Sequence, residues 1–132
     1  MKEGLRMETN KCLLIIDDEE DIREVTQLSL EMVRGWEVKT ACCGGEGVIK
    51  AKAEQPDAIL LDVMMPDMDG PTTLQKLQAD PHTSHIPVFF LTAKVEPSER
   101  RQFVDLGVKG VIAKPFDPLK LADEVAAELG WG

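Results

Sequence analysis

Long apolar runs are missing from this chain of 132 residues. None approaches the roughly 18 apolar residues that a membrane-spanning helix needs, and no segment is built like a secretory leader. The expectation is a cytoplasmic protein with no membrane partner. Basic clusters are missing too. Net charge is −9 and the Lys and Arg side chains are scattered, so direct contact with a nucleic-acid backbone or an anionic lipid surface is not expected. Cysteine is scarce, with only Cys12, Cys42 and Cys43. An odd count with two adjacent members argues against a disulfide framework, and the C-x-x-C spacing of zinc sites is absent. These cysteines read as small apolar side chains in or near strands, in a reducing compartment. There is no internal repeat and no low-complexity segment.

What is present fits one globular domain. Hydrophobic residues make up 43% and charged residues 30%, an ordinary balance, and the length supports a single core without covalent staples. Residues 1–10 are polar and aperiodic and read as a flexible tail; residues 11–130 carry the domain. From Cys12 onward, short apolar runs alternate with helical patterns. Cys12 to Ile16, Glu37 to Ala41, Ala58 to Leu61, Val88 to Leu91 and Gly110 to Ala113 read as strands. Ile22, Val25, Leu28 and Met32 recur at helical spacing, in a helix closed by Gly35. Gly44-Gly45 reads as a break before a short helix over Glu46 to Ala53. Further helices are predicted from Gly70-Pro71 to Gln78, Pro97 to Leu106 and Pro118 to Leu129, the last with Leu121, Val125 and Leu129 in one stripe. Five such β-α units predict an α/β domain, a parallel sheet covered by helices on both faces.

Ligands of open parallel sheets bind outside the carboxyl ends of the strands. The first reactive polar residues after the apolar runs are Asp17 and Asp18, Asp62, Thr92 and Lys114. Three carboxylates in one crevice repel unless a cation intervenes, and a hard, oxygen-seeking cation such as Mg²⁺ answers that need. Asp17 or Asp18 could instead cap the first helix, but capping does not explain Asp62 at the same edge. Asp62 itself could be a third ligand or a nucleophile that forms an aspartyl phosphate. In the second case Thr92 and Lys114 would share the charge of the phosphoryl oxygens with the cation. Pro115 keeps Lys114 extended. His82 and His85 fall in the Asp80–Pro87 loop and read as solvated; Met64, Met65 and Met68 read as packing around Pro66. Trp131 reads as packed on the last helix or as marking where a longer protein continues.

The residues Leu13 to Glu19, Leu61 to Pro66 followed by Asp69-Gly70, Pro87 to Lys94, and Leu106-Gly107 through Gly110 to Phe116 stand in the order and spacing of a known family. Over Lys11 to Leu129 the chain resembles the receiver domains of bacterial two-component response regulators, the CheY-like superfamily. The resemblance implies a single doubly wound (βα)5 flavodoxin-like domain, with a five-stranded sheet of order 2-1-3-4-5. It implies that Asp18 and Asp62 bind Mg²⁺ directly, Asp17 through water, and the backbone carbonyl of Met64 completes the protein ligands. Asp62 would accept a phosphoryl group from the phosphohistidine of a histidine kinase or histidine phosphotransfer protein. Thr92 and Lys114 would close on it, and the face of the fourth helix, fifth strand and fifth helix would signal to a downstream protein or fused output domain. Met64 and Lys94 flank the site where the family tunes phosphoryl lifetime. Val111 departs from the pattern, since the family often has Tyr or Phe there. The aromatic rotates inward on activation, and Val cannot fill that volume.

Three other readings compete. A haloacid-dehalogenase-type phosphatase would want an acid two residues after its nucleophile, where Met64 stands. A flavodoxin would want neutral phosphate-binding donors after the first strand, where Asp17-Asp18-Glu19 stands. A receiver that binds partners without being phosphorylated would not need all five site residues. With no room after the fifth helix for an output domain, the chain reads as a stand-alone receiver or part of a larger protein. It is expected to signal rather than to turn over a substrate.

Overall fold

A computed structural model of the chain describes residues 11–93 and 96–131. The tail expected over 1–10 and the flanking Lys94 lie outside the described residues. Five strands, β1 (Cys12–Ile16), β2 (Glu37–Ala41), β3 (Ala58–Asp62), β4 (Val88–Thr92) and β5 (Gly110–Ala113), alternate with α1 (Glu20–Arg34), α2 (Gly44–Glu54), α3 (Gly70–Ala79), α4 (Pro97–Asp105) and α5 (Leu121–Leu129). All neighbouring strands pair in parallel, in the order β2-β1-β3-β4-β5. This is the flavodoxin-like arrangement, with β1 and β3 flanking the point where the strand order reverses.

Strand alternation divides the core in two. Leu13 and Ile15 point to one face of the sheet, with Leu30 of α1 and Leu121, Ala122, Val125 and Ala126 of α5. Leu14 and Ile16 point to the other, with Ala51 of α2, Leu74 and Leu77 of α3, and Phe103 of α4. Both faces are covered, which is why β1, β3 and β4 read as unbroken apolar runs. Helix ends follow local chemistry. Asp69 caps α3 by accepting the Thr72 N–H at 2.9 Å, with Pro71 in the first turn. Gly35 ends α1 in the left-handed conformation, φ 69°.

Three expectations about the helices change. The stripe of α1 formed by Val25, Leu28 and Met32 faces solvent, with 45%, 58% and 75% of each residue exposed. The helix lies on the sheet through Thr26, Ser29 and Leu30 instead. Two small polar residues let the backbone approach closely, and the Ser29 hydroxyl is satisfied by donating to the Thr26 carbonyl at 3.0 Å. Gly44-Gly45 is not a break, because α2 begins at Gly44. A side chain at Gly44 would collide with the Thr73 hydroxyl, so this glycine serves packing of α2 against α3. Residues 118–120 precede α5 rather than opening it.

His82 and His85 are solvent-exposed as expected. Of the three methionines expected to pack around Pro66, Met65 is buried, Met68 is half-buried and Met64 projects into solvent. Cys42 is exposed as well, against the expectation of a packed apolar side chain. Trp131 packs edge-on against the buried Trp36, with ring centroids 5.3 Å apart, and Lys11 lies over its ring. Trp131→Ala is therefore expected to cost about 1–2 kcal/mol, measured by urea unfolding followed through the fluorescence of Trp36.

Candidate functional site

Register in a parallel sheet brings the ends of four strands together. Asp17 follows β1, Asp62 ends β3, Thr92 ends β4 and Lys114 follows β5. The Asp17 N–H reaches across to the Ala41 carbonyl of β2 at 3.1 Å, and the Lys114 N–H to the Thr92 carbonyl at 2.9 Å. Both residues thus prolong the ladder, and their side chains stand at the sheet edge. Asp17, Asp62 and Thr92 are buried, while Asp18 is exposed.

Lys114 links the acidic groups. Its Nζ lies 2.9 Å from Asp17 Oδ2, 3.2 Å from Asp62 Oδ1 and 3.3 Å from Glu19 Oε1. Burial alone would lower the ammonium pKa, but hydrogen bonds and charge from Asp17 and Asp62 outweigh it and hold the group above its ordinary value. Asp62 responds the other way. Burial, then repulsion from Asp17, raise its carboxyl to about 6 against the opposing pull of Lys114. A carboxylate left this uncomfortable beside a second one is a group that a cation would relieve.

The acidic residues fit a hard cation. Carboxylate oxygens of Asp17, Asp18 and Asp62 lie within 4.8 Å of one another. Buried Asp17 Oδ2 accepts no well-directed hydrogen bond among the described residues, although Lys114 Nζ stands close by. An all-oxygen set that includes such an acceptor, open to solvent through Asp18, suits Mg²⁺ with part of its water shell retained. The helix-capping alternative fails on geometry. The N-cap of α1 is Glu19, which makes no side-chain cap, and Asp17 Oδ1 accepts the Glu19 N–H at 2.9 Å in a local turn.

Sequence reasoning missed three contributors. Glu19, to which the sequence assigns no role of its own, pairs with Lys114. Arg23 donates to the Asp17 carbonyl at 2.8 Å and pins the turn after β1. Gly70 lets the loop after β3 fold back on the strand end, its N–H bonded to the Val63 carbonyl at 2.9 Å. At the atypical position, Val111 is buried among Phe90, Val88 and Val108, while Phe103 of α4 meets Phe90 edge-on at 5.0 Å. Arg100 of α4 donates to the Val111 carbonyl at 3.3 Å.

The sequence profile of the family described as response regulator receiver domain matches residues 13–126. The DNA-binding dual master transcriptional regulator RpaA of Synechocystis sp. is 39% identical over 117 residues, covering 89% of this chain and 48% of that protein. The alkaline phosphatase synthesis transcriptional regulatory protein PhoP of Bacillus subtilis is 38% identical over 120 residues, covering 91% of this chain and 49% of that one. The chain thus spans about half the length of these curated relatives, and the DNA binding in the first one's name is that protein's own. The structure of Vibrio cholerae chemotaxis protein CheY4 superposes with a TM-score of 0.83 at 29% identity, covering 89% of this chain and 98% of its own. The N-terminal domain of a response regulator receiver protein from Methanoculleus marisnigri gives 0.74 at 35% identity, covering 89% and 94%.

Proposed function

The chain belongs to the response-regulator receiver domain family, and from that premise we propose that Asp62 is its phosphoacceptor. One observation carries the reading: a buried carboxylate at a strand end lies 3.2 Å from a lysine ammonium and beside a second buried carboxylate. An Asp62 oxygen attacks the phosphorus of a phosphohistidine. The new P–O bond forms as the P–N bond breaks, and the imidazole leaves with a proton. Lys114 holds charge on a transferred oxygen, and Thr92 offers a hydroxyl from the neighbouring strand end. Asp17, Asp18, Asp62 and the Met64 backbone carbonyl are the groups to hold Mg²⁺, which when bound neutralises phosphoryl charge and the repulsion between carboxylates.

The donor is a histidine kinase or histidine phosphotransfer protein, and the site of action is the cytoplasm. The acylphosphate biases the face of α4, β5 and α5 toward the form a downstream protein or fused output domain reads. With Val111 there, the aromatic rotation common in the family has no ring to move. The test is incubation with acetyl phosphate and Mg²⁺, followed by intact mass. One phosphoryl adduct is expected, absent in Asp62→Asn and absent with EDTA. No adduct under any condition would favour a receiver that binds partners unphosphorylated.

The exposed stripe of α1 bears on the donor. Val25, Leu28 and Met32 form an apolar strip on the helix that leads away from Asp17 and Asp18, a surface suited to packing against a protein donor. Leu28→Asp is expected to slow transfer from a phosphorylated histidine partner by about tenfold or more. Labelling by acetyl phosphate should stay unchanged, because that donor is too small to touch the helix.

A further inference from the structure

A second group of ligand atoms lies outside the carboxylate site. Cys42 and Cys43 occupy the turn between β2 and α2, and Glu46 stands in the first turn of α2. One atom from each, the two Sγ and a carboxylate oxygen, lie within 4.8 Å of one another. Both thiols are free, Cys42 exposed and Cys43 half-buried. We propose that Cys42, Cys43 and Glu46 form a binding site for a thiophilic divalent cation of the Zn²⁺ or Cd²⁺ type.

The geometry explains how adjacent cysteines converge without the usual spacing. Cys43 is the N-cap of α2, in extended conformation, so the chain turns sharply between strand and helix. The Glu46 carboxylate folds back over that turn and accepts the Cys42 N–H at 2.7 Å. This contact closes the turn before the helix and brings a negative charge to the thiols. Lys50 sits 3.4 Å from Glu46, one turn along α2, and also donates to the Thr40 carbonyl. The ammonium can keep the second contact when Glu46 turns to a metal.

Donor chemistry selects the class of ion. Two sulfurs and one oxygen suit a d¹⁰ cation that accepts tetrahedral coordination, with water in the fourth position. Mg²⁺ has no use for sulfur, so the two sites of this domain differ in preference, one hard and one soft. The carboxylate beside Cys42 also separates this reading from a reactive nucleophile. An anion at that place disfavours a bare thiolate and favours a bound cation, proton or metal, whereas nucleophilic cysteines sit in electropositive surroundings. Binding would release the thiol protons to solvent.

Reduced protein, in excess Mg²⁺ to occupy the carboxylate site, would be titrated with Cd²⁺ and followed by the ultraviolet thiolate-to-metal charge-transfer band. One equivalent is expected to bind, and a large excess of Zn²⁺ should compete with it. The band should be lost in the Cys42→Ser, Cys43→Ser double variant and unchanged in Cys12→Ser. Glu46→Gln keeps an oxygen for the Cys42 N–H while removing the charge, and should weaken binding by about tenfold or more. Circular dichroism would show that each variant is folded. A missing band, a band that survives the double serine variant, or a band of full affinity in Glu46→Gln would each overturn the three-ligand site.

Discussion

Asp62→Asn is expected to stabilise the cation-free protein at neutral pH, although it removes the residue on which the proposed chemistry depends. Folding raises the Asp62 carboxyl from its ordinary 3.8 to about 6. Between those values the folded protein holds more of the proton than the unfolded chain does, so stability from this group is complete below the lower value and is lost as pH rises through the upper one. At pH 7.5 the ionised side chain is therefore a net burden, and the neutral isostere removes it. The gain should be on the order of 1 kcal/mol, a rise of about 3–5 °C in melting midpoint for a domain of this size. At pH 4 the two proteins should melt together. Mg²⁺ should reverse the order, because ligand at ten times its Kd adds about 1.4 kcal/mol to the protein that binds it. Thermal melts in EDTA and in Mg²⁺ at both pH values check this. A lower midpoint for the variant in EDTA at pH 7.5 would mean that the Lys114 ion pair outweighs burial and repulsion.

Gly70→Ala should be the most damaging one-methyl change at the site. A Cβ at Gly70 would stand 2.8 Å from the Asp62 carbonyl oxygen and 2.8 Å from the Val63 Cα, both of them backbone. Side chains can rotate away, but the end of a central strand cannot, so either the loop lifts off or β3 shifts at the residue that carries the carboxylate. A loss of about 2–3 kcal/mol is expected, together with slower phosphoryl acceptance in the fraction that stays folded. Gly45→Ala is the control. Nothing lies within 4 Å of its would-be Cβ, and replacing a helical glycine by alanine should leave the protein equally stable or gain up to about 1 kcal/mol. Urea unfolding of both variants, beside their labelling by acetyl phosphate, separates a local clash from a general intolerance of α2 and α3 to substitution.

Strand identity was legible in the sequence because β1, β3 and β4 are buried on both faces and carry nothing but apolar residues up to their ends. The same property made Asp17, Asp62 and Lys114 legible, since each breaks an apolar run at the edge where ligands of such sheets bind. The inward face of α1 was not. A helix with two candidate stripes is seated by fit against the sheet, and Thr26 and Ser29 won that place over the bulkier Val25, Leu28 and Met32. Glu19 and Arg23 were missed for a related reason. Their long side chains reach back to Asp17 and Lys114, and such contacts depend on where a helix leaves the sheet rather than on residue spacing. The Cys42, Cys43 and Glu46 cluster escaped notice because metal motifs are sought as spaced pairs, whereas here a strand-to-helix turn does the gathering.

The chain order of the charged groups has a consequence for synthesis. Asp17 and Asp62 come from the first half of the chain, but the lysine that lies between them comes from beyond β5, the last strand made and an edge of the sheet. Without β5 the two carboxylates would have no ammonium between them. Arrival of β5 relieves that repulsion, so docking of the final strand is drawn by charge as well as by its apolar face. The pocket thereby makes completion of the sheet electrostatically self-sealing.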